Sequence, residues 1–125
     1  MSDTLDERVV PKPWGQERIW TLTDRYAGKV ILIRAGRRLS LQQHREKDES
    51  ILILRGRLLF HHGPDAASVE TVVLGPGEHR RIPTGLVHRF EALDEDVELV
   101  EVSTPELDDV IRLADDFGRE GTSAP

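Results

Sequence analysis

The stretch Gly36-Arg-Arg-Leu-Ser-Leu-Gln-Gln-His-Arg-Glu-Lys-Asp-Glu49 decides the fold of this 125-residue chain. Gln42 and His44 lie two positions apart, so on a strand their side chains project from the same face. After a polar turn, Glu49 opens the apolar segment 50–54, which can return antiparallel and bring a carboxylate beside that face. The stretch therefore predicts two neighbouring strands that carry three potential metal ligands.

A second stretch, Pro83-Thr-Gly-Leu-Val-His88, follows about 40 positions later. Its proline and glycine mark a turn before the strand that carries His88, so a fourth ligand can arrive from another hairpin. The chain has no cysteine, so any metal must be held by nitrogen and oxygen donors. An amide oxygen, two imidazoles and a carboxylate are such donors. We therefore predict a metal site on a β-barrel.

The length and the charge of the chain narrow the classes of function. At 125 residues, the chain is expected to form one domain with one core. Its net charge of -6, with Lys and Arg spread among Asp and Glu, argues against a nucleic-acid partner. The first residues are acidic and polar, and no apolar run approaches the ~20 residues of a membrane span. We expect no membrane partner and a cytoplasmic location.

Short apolar segments separated by turn residues give an all-β pattern. Nine segments are predicted to be strands, a number that suits a closed double-sheet barrel: 17–23, 28–35, 39–44, 50–54, 57–61, 70–74, 78–82, 87–92 and 97–103. Residues 11–119 are expected to form the domain, and residues 1–10 and 120–125 are expected to be flexible ends.

One short helix is predicted after the last strand, over residues 105–117. Thr104 is suited to the N-cap and Pro105 to the first helical position, and acidic residues follow in the first turn. Gly118 is placed where a C-terminal cap belongs. The helix is expected to pack on the outside of the barrel.

The spacing of the two stretches resembles the two signature motifs of the cupin superfamily. The matching positions are Gly36, Gln42, His44, Glu49 and Gly56 in the first motif, and Gly77, Pro83, Gly85 and His88 in the second. Gln42 replaces the first histidine of the pattern, and Ala92 replaces its closing asparagine. The resemblance implies a double-stranded β-helix, or jelly-roll, barrel whose metal ligands are Gln42, His44, Glu49 and His88.

Further segments resemble the isomerase domain of type II phosphomannose isomerase/mannose-1-phosphate guanylyltransferase, where Gln also replaces the first histidine. These segments are Leu39-Ser-Leu-Gln-x-His44, Lys12-Pro-Trp-Gly15, Asp108-Asp-Val-Ile-Arg112 and Asp116-Phe-Gly-Arg119. The likeness covers residues 11–119. Residues 45–51 depart from the corresponding stretch of that family, so its sugar and phosphate contacts are not transferred to this chain.

The resemblance implies a small-molecule substrate, a sugar phosphate, and an aldose–ketose isomerase that uses a divalent ion as a Lewis acid. Zinc fits the resemblance, whereas manganese, iron, cobalt or nickel fit the ligands equally well. Cupins of this size commonly dimerise, so a homodimer is expected. Two alternatives stay open. One is a metal-dependent oxygenase, for which Gln42 is a weak ligand, and the other is a non-catalytic module that binds a sugar or another small molecule.

Glu101 and Lys12 are the candidate catalytic residues. If Glu101 points into the barrel, it is a desolvated carboxylate with a raised pKa and a suitable general base, and if it points out it is a solubilising charge. Lys12 precedes a proline in a predicted loop and either offers its ammonium to a phosphate or stays solvated. Three arginines near the second motif could bind an anionic substrate, but their default expectation is surface placement: Arg80, Arg81 and Arg89.

Overall fold

The computed structural model of the chain describes residues 8–121. In that range it contains eleven β-strands and no α-helix, so none of these residues belongs to a helix long and apolar enough to cross a membrane. The strands are β1 (Arg8–Lys12), β2 (Gly15–Leu22), β3 (Ala27–Ile33), β4 (Leu41–Gln43), β5 (Glu49–Arg55), β6 (Leu58–Gly63), β7 (Glu70–Leu74), β8 (His79–Ile82), β9 (Val87–Ala92), β10 (Val97–Ser103) and β11 (Ile111–Ala114).

The strands form two antiparallel sheets that enclose a common core. The six-stranded sheet has the order β1-β2-β3-β10-β5-β8, and the five-stranded sheet has the order β11-β4-β9-β6-β7. Strand β10 lies between β3 and β5, and β9 lies between β4 and β6, so each sheet joins strands that are distant in the sequence. The predicted all-β jelly roll is confirmed, and each of the nine predicted segments overlaps an observed strand.

Alternating burial along the strands forms the core. On β5, Ile51 and Ile53 point inward and are buried, whereas Leu52 and Leu54 point outward and are exposed, as the two-residue period of a strand requires. The same alternation on neighbouring strands fills the space between the sheets. The core consists of Trp14, Ile31, Ile33, Leu39, Ile51, Ile53, Leu58, Phe60, Leu74, Ile82, Phe90, Ala92, Val97 and Leu99.

The predicted helix over residues 105–117 is wrong. Residues 107 and 108 form a turn, and the chain then enters β11, which pairs antiparallel with β4. Thr104 does not cap a helix, because its Oγ1 accepts a hydrogen bond from the backbone N–H of Asp48 at 3.0 Å. Pairing with β11 satisfies backbone groups of β4 that would otherwise lie at a sheet edge, and this tertiary gain outweighs the local helix signal.

The N-terminal end of the domain also differs from the prediction. Residues 8–10, expected to be flexible, belong to β1, and Lys12 therefore lies at the end of a strand and not in a loop. The turn into β2 requires glycine, because a Cβ at Gly15 would lie 1.9 Å from the carbonyl oxygen of Leu32. The other residues predicted to be flexible, 1–7 and 122–125, lie outside the described residues, while 120 and 121 follow β11 in a turn.

Candidate metal centre

A cavity of about 300 Å³ lies between the two sheets. Aromatic and aliphatic side chains such as Trp14, Leu39 and Phe90 form part of its wall, and the remaining wall is strongly polar. All four predicted metal ligands and both predicted catalytic residues line this one cavity: Gln42, His44, Glu49, His88, Glu101 and Lys12. Residues distant in the sequence therefore converge on a single site.

His44, Glu49 and His88 form the centre of the site. His44 directly follows β4, Glu49 begins β5 and His88 lies on β9. Their relative exposures are 3%, 3% and 2%, and one potential ligand atom from each lies within 4.8 Å of the others. This group of three could hold a metal ion.

Hydrogen bonds fix the orientation of both imidazoles. His44 Nδ1 donates to the carbonyl oxygen of Asp109 at 2.5 Å, and His88 Nδ1 donates to the carbonyl oxygen of Leu86 at 2.9 Å. A carbonyl oxygen only accepts, so in each ring Nδ1 carries the hydrogen and Nε2 of the neutral ring has a free lone pair. Metal-binding histidines are oriented in this way by backbone carbonyls.

The donor set fits a cation. His44 Nε2 lies 3.0 Å from Glu49 Oε2. Among the described residues both atoms are buried without a hydrogen bond of good geometry, although the ammonium of Lys47 lies 3.3 Å from Glu49 Oε2. When the ring is neutral, two acceptors face each other at this distance, an arrangement that a divalent ion between them would stabilise. The residues present therefore suit a divalent metal, although the donor atoms do not select one metal.

Burial and the charges around the site favour the protonation states in which His88 and Glu49 can bind a metal ion. Burial lowers the pKa of His88 to about 4, so its ring is neutral at pH 7. Burial opposes the ionisation of Glu49, but the positive charge of Lys47, together with the adjacent imidazoles of His44 and His88, outweighs burial and holds the pKa of Glu49 below its ordinary range. An ionised carboxylate and a neutral imidazole are the forms that bind metal.

Gln42 lies beside this group of three. It is directly opposite His88 on the neighbouring strand, so the two side chains share the face that lines the cavity. The amide nitrogen of Gln42 donates to Ser40 Oγ at 2.9 Å, which leaves the amide oxygen as the atom available to a ligand. Gln42 therefore lines the same cavity as His44, Glu49 and His88.

Glu101 points into the barrel, which resolves the two alternatives left by the sequence. It is buried on the same face of β10 as Val97 and Leu99. Burial and the nearby charge of Glu49 raise the pKa of Glu101, although two lysines act in the opposite direction. The carboxylate is therefore easier to protonate than an exposed glutamate, as a general acid–base residue requires.

Lys47 is the main site residue that sequence reasoning missed. Its ammonium lies 3.3 Å from Glu49 Oε2 and 3.1 Å from Glu101 Oε2, and it is almost fully buried. Burial lowers the pKa of Lys47, but the two carboxylates outweigh burial and keep that pKa above its ordinary value. The spacing held a usable signal, because Lys47 precedes Glu49 by two residues and can share its face.

Three arginines were predicted at the surface, and one of these predictions is wrong. Arg89 is only 8% exposed. Its Nε donates to the carbonyl oxygen of Leu39 at 2.9 Å, and its Nη2 donates to that of Ala114 at 3.3 Å. These bonds tie β9 to the chain before β4 and to β11, so buried backbone acceptors explain its position. Arg80 and Arg81 are exposed, as predicted.

Comparisons with known proteins agree with this architecture. A sequence profile described as mannose-6-phosphate isomerase C-terminal matches residues 2–115. The mannose-1-phosphate guanylyltransferase of Escherichia coli is 34% identical over 116 residues, which cover 90% of this chain and 23% of that protein. Xanthan biosynthesis protein XanB of Xanthomonas campestris pv. campestris is 29% identical over 122 residues, 94% of this chain and 25% of XanB. The chain thus spans about a quarter of the length of these relatives.

Solved structures with the same fold have lower sequence identity. The capsular polysaccharide assembling protein CapF from Staphylococcus aureus superposes with a TM-score of 0.76 at 19% identity, covering 86% of this chain and 34% of CapF. Oxalate decarboxylase from Bacillus subtilis gives a TM-score of 0.76 at 18% identity, covering 89% of this chain and 31% of the decarboxylase. These likenesses show the cupin fold alone. Because the profile match extends over almost the whole chain, the chain belongs to the mannose-6-phosphate isomerase C-terminal family, a family of cupin domains.

Proposed function

We propose that this domain is a metal-dependent isomerase that interconverts an aldose phosphate and a ketose phosphate. The observation that carries the proposal is the buried group of His44, Glu49 and His88, which faces the same cavity as the buried carboxylate of Glu101. The names of the relatives, which refer to mannose 1-phosphate and to polysaccharide synthesis, support a substrate of the sugar-phosphate class.

The roles of the residues follow from their chemistry. His44, Glu49, His88 and Gln42 would hold a divalent ion, for which zinc is the first choice and manganese, iron, cobalt and nickel are alternatives. When bound, that ion supplies Lewis acidity at the sugar carbonyl and its neighbouring hydroxyl. The apolar part of the cavity wall excludes water, which strengthens electrostatic interactions with the substrate.

Glu101 is proposed to move the proton. An aldose–ketose conversion requires a base that removes the proton from the hydroxyl-bearing carbon beside the carbonyl and delivers it to the carbonyl carbon, while the hydroxyl proton passes to the former carbonyl oxygen. The raised pKa of Glu101 suits both steps. Lys47, 3.1 Å from Glu101 Oε2, holds the carboxylate in place and adds a positive charge close to where negative charge develops on the substrate.

The same ion pair favours a second candidate function. Lys47 contacts Oε2 of Glu101, and a carboxylate held in an ion pair can position a ligand without moving a proton. In this case the domain is a non-catalytic module that binds a sugar phosphate. The two candidates share the metal and the cavity, and they differ in turnover.

The test combines metal analysis with an isomerase assay. Protein purified without chelator is analysed for metal, and turnover of mannose 6-phosphate and fructose 6-phosphate is measured on the wild type, His88→Ala and Glu101→Gln. His79→Ala is the matched control, because His79 is exposed on β8. We expect His88→Ala to lose both metal and turnover, and His79→Ala to retain both. Glu101→Gln is expected to keep the metal and to lose about 10²–10⁴-fold in kcat.

Results that differ from these expectations would lead to other conclusions. Stoichiometric metal without turnover of any sugar phosphate would favour the binding module. Failure to bind any of the five metals after reloading would contradict the four-ligand site. The homodimer and the cytoplasmic location stay predictions from the sequence, and light scattering on the purified protein tests the first of them.

A further inference from the structure

The outer face of the six-stranded sheet is apolar at its centre. Residues 30–33 on β3 and 51–54 on β5 are all apolar, so both alternating sets of side chains on these strands are apolar. One set fills the core, and the other set points outward. An antiparallel sheet with a solvated outer face normally carries polar residues there, whereas continuous apolar runs are typical of strands that are buried on both faces. The sequence of these strands therefore indicates that a partner covers the outer face.

The strand register joins the outward residues into one continuous surface. Val100 on β10 is paired with Val30 on β3 and with Leu52 on β5, so three apolar side chains stand side by side. Val102 follows on the same face of β10 and is paired with Gly28. We call this surface the outer patch, and it consists of Trp20, Val30, Leu52, Leu54, Val100 and Val102.

Much of the outer patch is open to solvent. Trp20, Leu52, Leu54 and Val102 are each between 40% and 47% exposed. Trp20 lies directly against Gly28, because a Cβ at Gly28 would be 2.5 Å from the indole ring. The glycine thus keeps a large aromatic ring down on the sheet, where it can pack against a flat partner. An exposed apolar surface of this kind marks an interaction site, and Trp is enriched at the centres of such sites.

The outer face of the five-stranded sheet is different. His61 on β6 points outward, since its neighbour Phe60 belongs to the core. His61 Nε2 lies 2.8 Å from Glu91 Oε1, and His61 Nδ1 lies 2.9 Å from Thr71 Oγ1. Polar side chains that bond one another are typical of a face in contact with water. The need for a partner is therefore specific to the six-stranded sheet.

We propose that two copies of this chain form a dimer by packing their outer patches face to face about a two-fold axis. Two antiparallel sheets pack in this way in a β-sandwich, and a two-fold axis lets one surface serve as its own partner. The inference does not depend on the proposed function, because the outer patch lies on the side of the sheet opposite to the cavity.

The size of the face suits a stable dimer. Its central strands β3, β5 and β10 each contain seven residues. From the spacing of strands and residues, a six-stranded face of this length is roughly 25 Å wide and roughly 23 Å long. Side chains stand out from this plane, so its accessible surface approaches the about 800 Å² per partner of a standard interface.

The charges near the centre of the face permit self-association. Arg18 on β2 is paired with Val30, and Glu98 on β10 is paired with Leu32, so one cation and one anion lie beside the outer patch. Because these two charges cancel, two copies do not repel each other there, whereas an excess of one sign would favour a partner of the opposite sign. A two-fold axis parallel to β3 and β10 also brings Glu98 of each copy toward Arg18 of the other.

Mass measurement tests the dimer. Light scattering coupled to size-exclusion chromatography is expected to give the mass of two chains for the wild type. Leu52→Glu and Val102→Glu each place an unpaired charge in the interface, so we expect the dissociation constant to rise at least about 100-fold and the variants to elute as monomers. Val73→Glu is the matched control and is expected to stay dimeric, because Val73 is 51% exposed on β7 in the other sheet.

Tryptophan fluorescence provides a second measurement that needs no disruptive variant. The chain has two tryptophans, of which Trp14 is buried in the core and Trp20 lies in the outer patch. Dilution of the wild type is expected to shift the emission to longer wavelength as the dimer dissociates and exposes Trp20. The shift is expected to disappear in Trp20→Phe. If neither glutamate variant folds, as circular dichroism would show, the dilution series alone decides.

Four results would overturn the proposal. The first is a wild-type monomer, which would leave the outer patch to a different protein. The second is a dimer that persists in both Leu52→Glu and Val102→Glu. The third is loss of the dimer in folded Val73→Glu, and the fourth is dissociation of the wild-type dimer without a change in Trp20 emission. Each of the last three would place the interface on another surface.

Discussion

Along β10, four side chains point into the barrel, and their chemistry changes halfway. Val97 and Leu99 are buried and apolar, whereas Glu101 and Ser103 are buried and polar. On β3, the inward row changes from Ile31 to Lys29 at the same level of the barrel, because Leu99 is paired with Ile31 and Glu101 with Lys29. One half of the interior is therefore a packed core, and the other half is the candidate site.

The two halves of the barrel interior contribute to different properties of the domain: the apolar half to its stability and the polar half to the chemistry of the candidate site. In the apolar half, each fully buried Leu or Ile contributes about 1.5–3 kcal/mol through removal from water. In the polar half, burial of a charge is unfavourable unless a partner compensates it, and Lys29, Lys47 and Glu49 all have such partners. Substitutions in the two halves are therefore expected to affect different properties.

The largest effect on stability is expected in the apolar half. Leu58 is completely buried on β6, and Leu58→Ala removes its contacts and leaves a cavity, so we expect a loss of about 2–5 kcal/mol in the free energy of unfolding. Urea denaturation monitored by circular dichroism measures this loss. Metal content of the folded fraction is expected to stay at the wild-type value, and a loss of metal without a loss of stability would contradict the separation of the two halves.

A smaller effect, on metal affinity, is expected at Asp109, which lies in the segment before β11 and supports the candidate metal centre. The carboxylate of Asp109 accepts hydrogen bonds from the backbone N–H groups of Arg45, Glu46 and Lys47 at 3.1, 2.6 and 2.9 Å, while its carbonyl accepts from His44. Asp109→Ala frees the loop that leads from His44 to Glu49. We expect metal affinity to fall about 10–100-fold, the range for groups that orient metal ligands.

Competition with a chelating dye measures that affinity. Asp116→Ala is the control, since Asp116 lies on the same segment but pairs with Arg38 at the surface. Equal metal affinities in the two variants would mean that the Asp109 side chain holds the loop between His44 and Glu49 without orienting the metal ligands.

The smallest effect concerns the Glu17–Lys29 pair at the boundary between the halves. Burial opposes ionisation of Glu17, but Lys29 and Lys12 outweigh it and lower the pKa of Glu17 below its ordinary value of 4.5. The unfolded chain therefore binds this proton first as the pH falls, so the stabilisation is present above pH 4.5 and is lost as the pH drops through the folded-state pKa.

Glu17→Gln keeps a hydrogen-bond acceptor and removes the charge. We expect the variant to be about 1 kcal/mol less stable than the wild type at neutral pH and to approach it in acid. Thermal unfolding over a pH series checks this, and a stability difference that stays constant with pH would assign the effect to packing and not to charge.

Much of the site was predictable because the sequence separation of its ligand-type residues reflects the geometry of β-strands. The two-residue period placed Gln42 and His44 on one face, and the turn before His88 brought in another hairpin. Arg112 was not singled out as a site residue, because a lone arginine carries no spacing pattern of its own, and the only sequence signal for Lys47 was its two-residue offset from Glu49. Arg89 was placed wrongly, because the backbone carbonyls that hold it belong to segments far away in the sequence.

The sequence by itself determined the all-β architecture, the positions of the turns and the ligand types, since each depends on local alternation, on Pro and Gly conformation or on side-chain chemistry. Tertiary structure alone decided that the segment after Thr104 becomes a strand, that Glu101 faces inward, and that Arg112 lies in one row with Gln42 and His88. The physical reason is that register and burial arise from pairing between distant strands, and the energy of that pairing exceeds the weak preferences of any single segment.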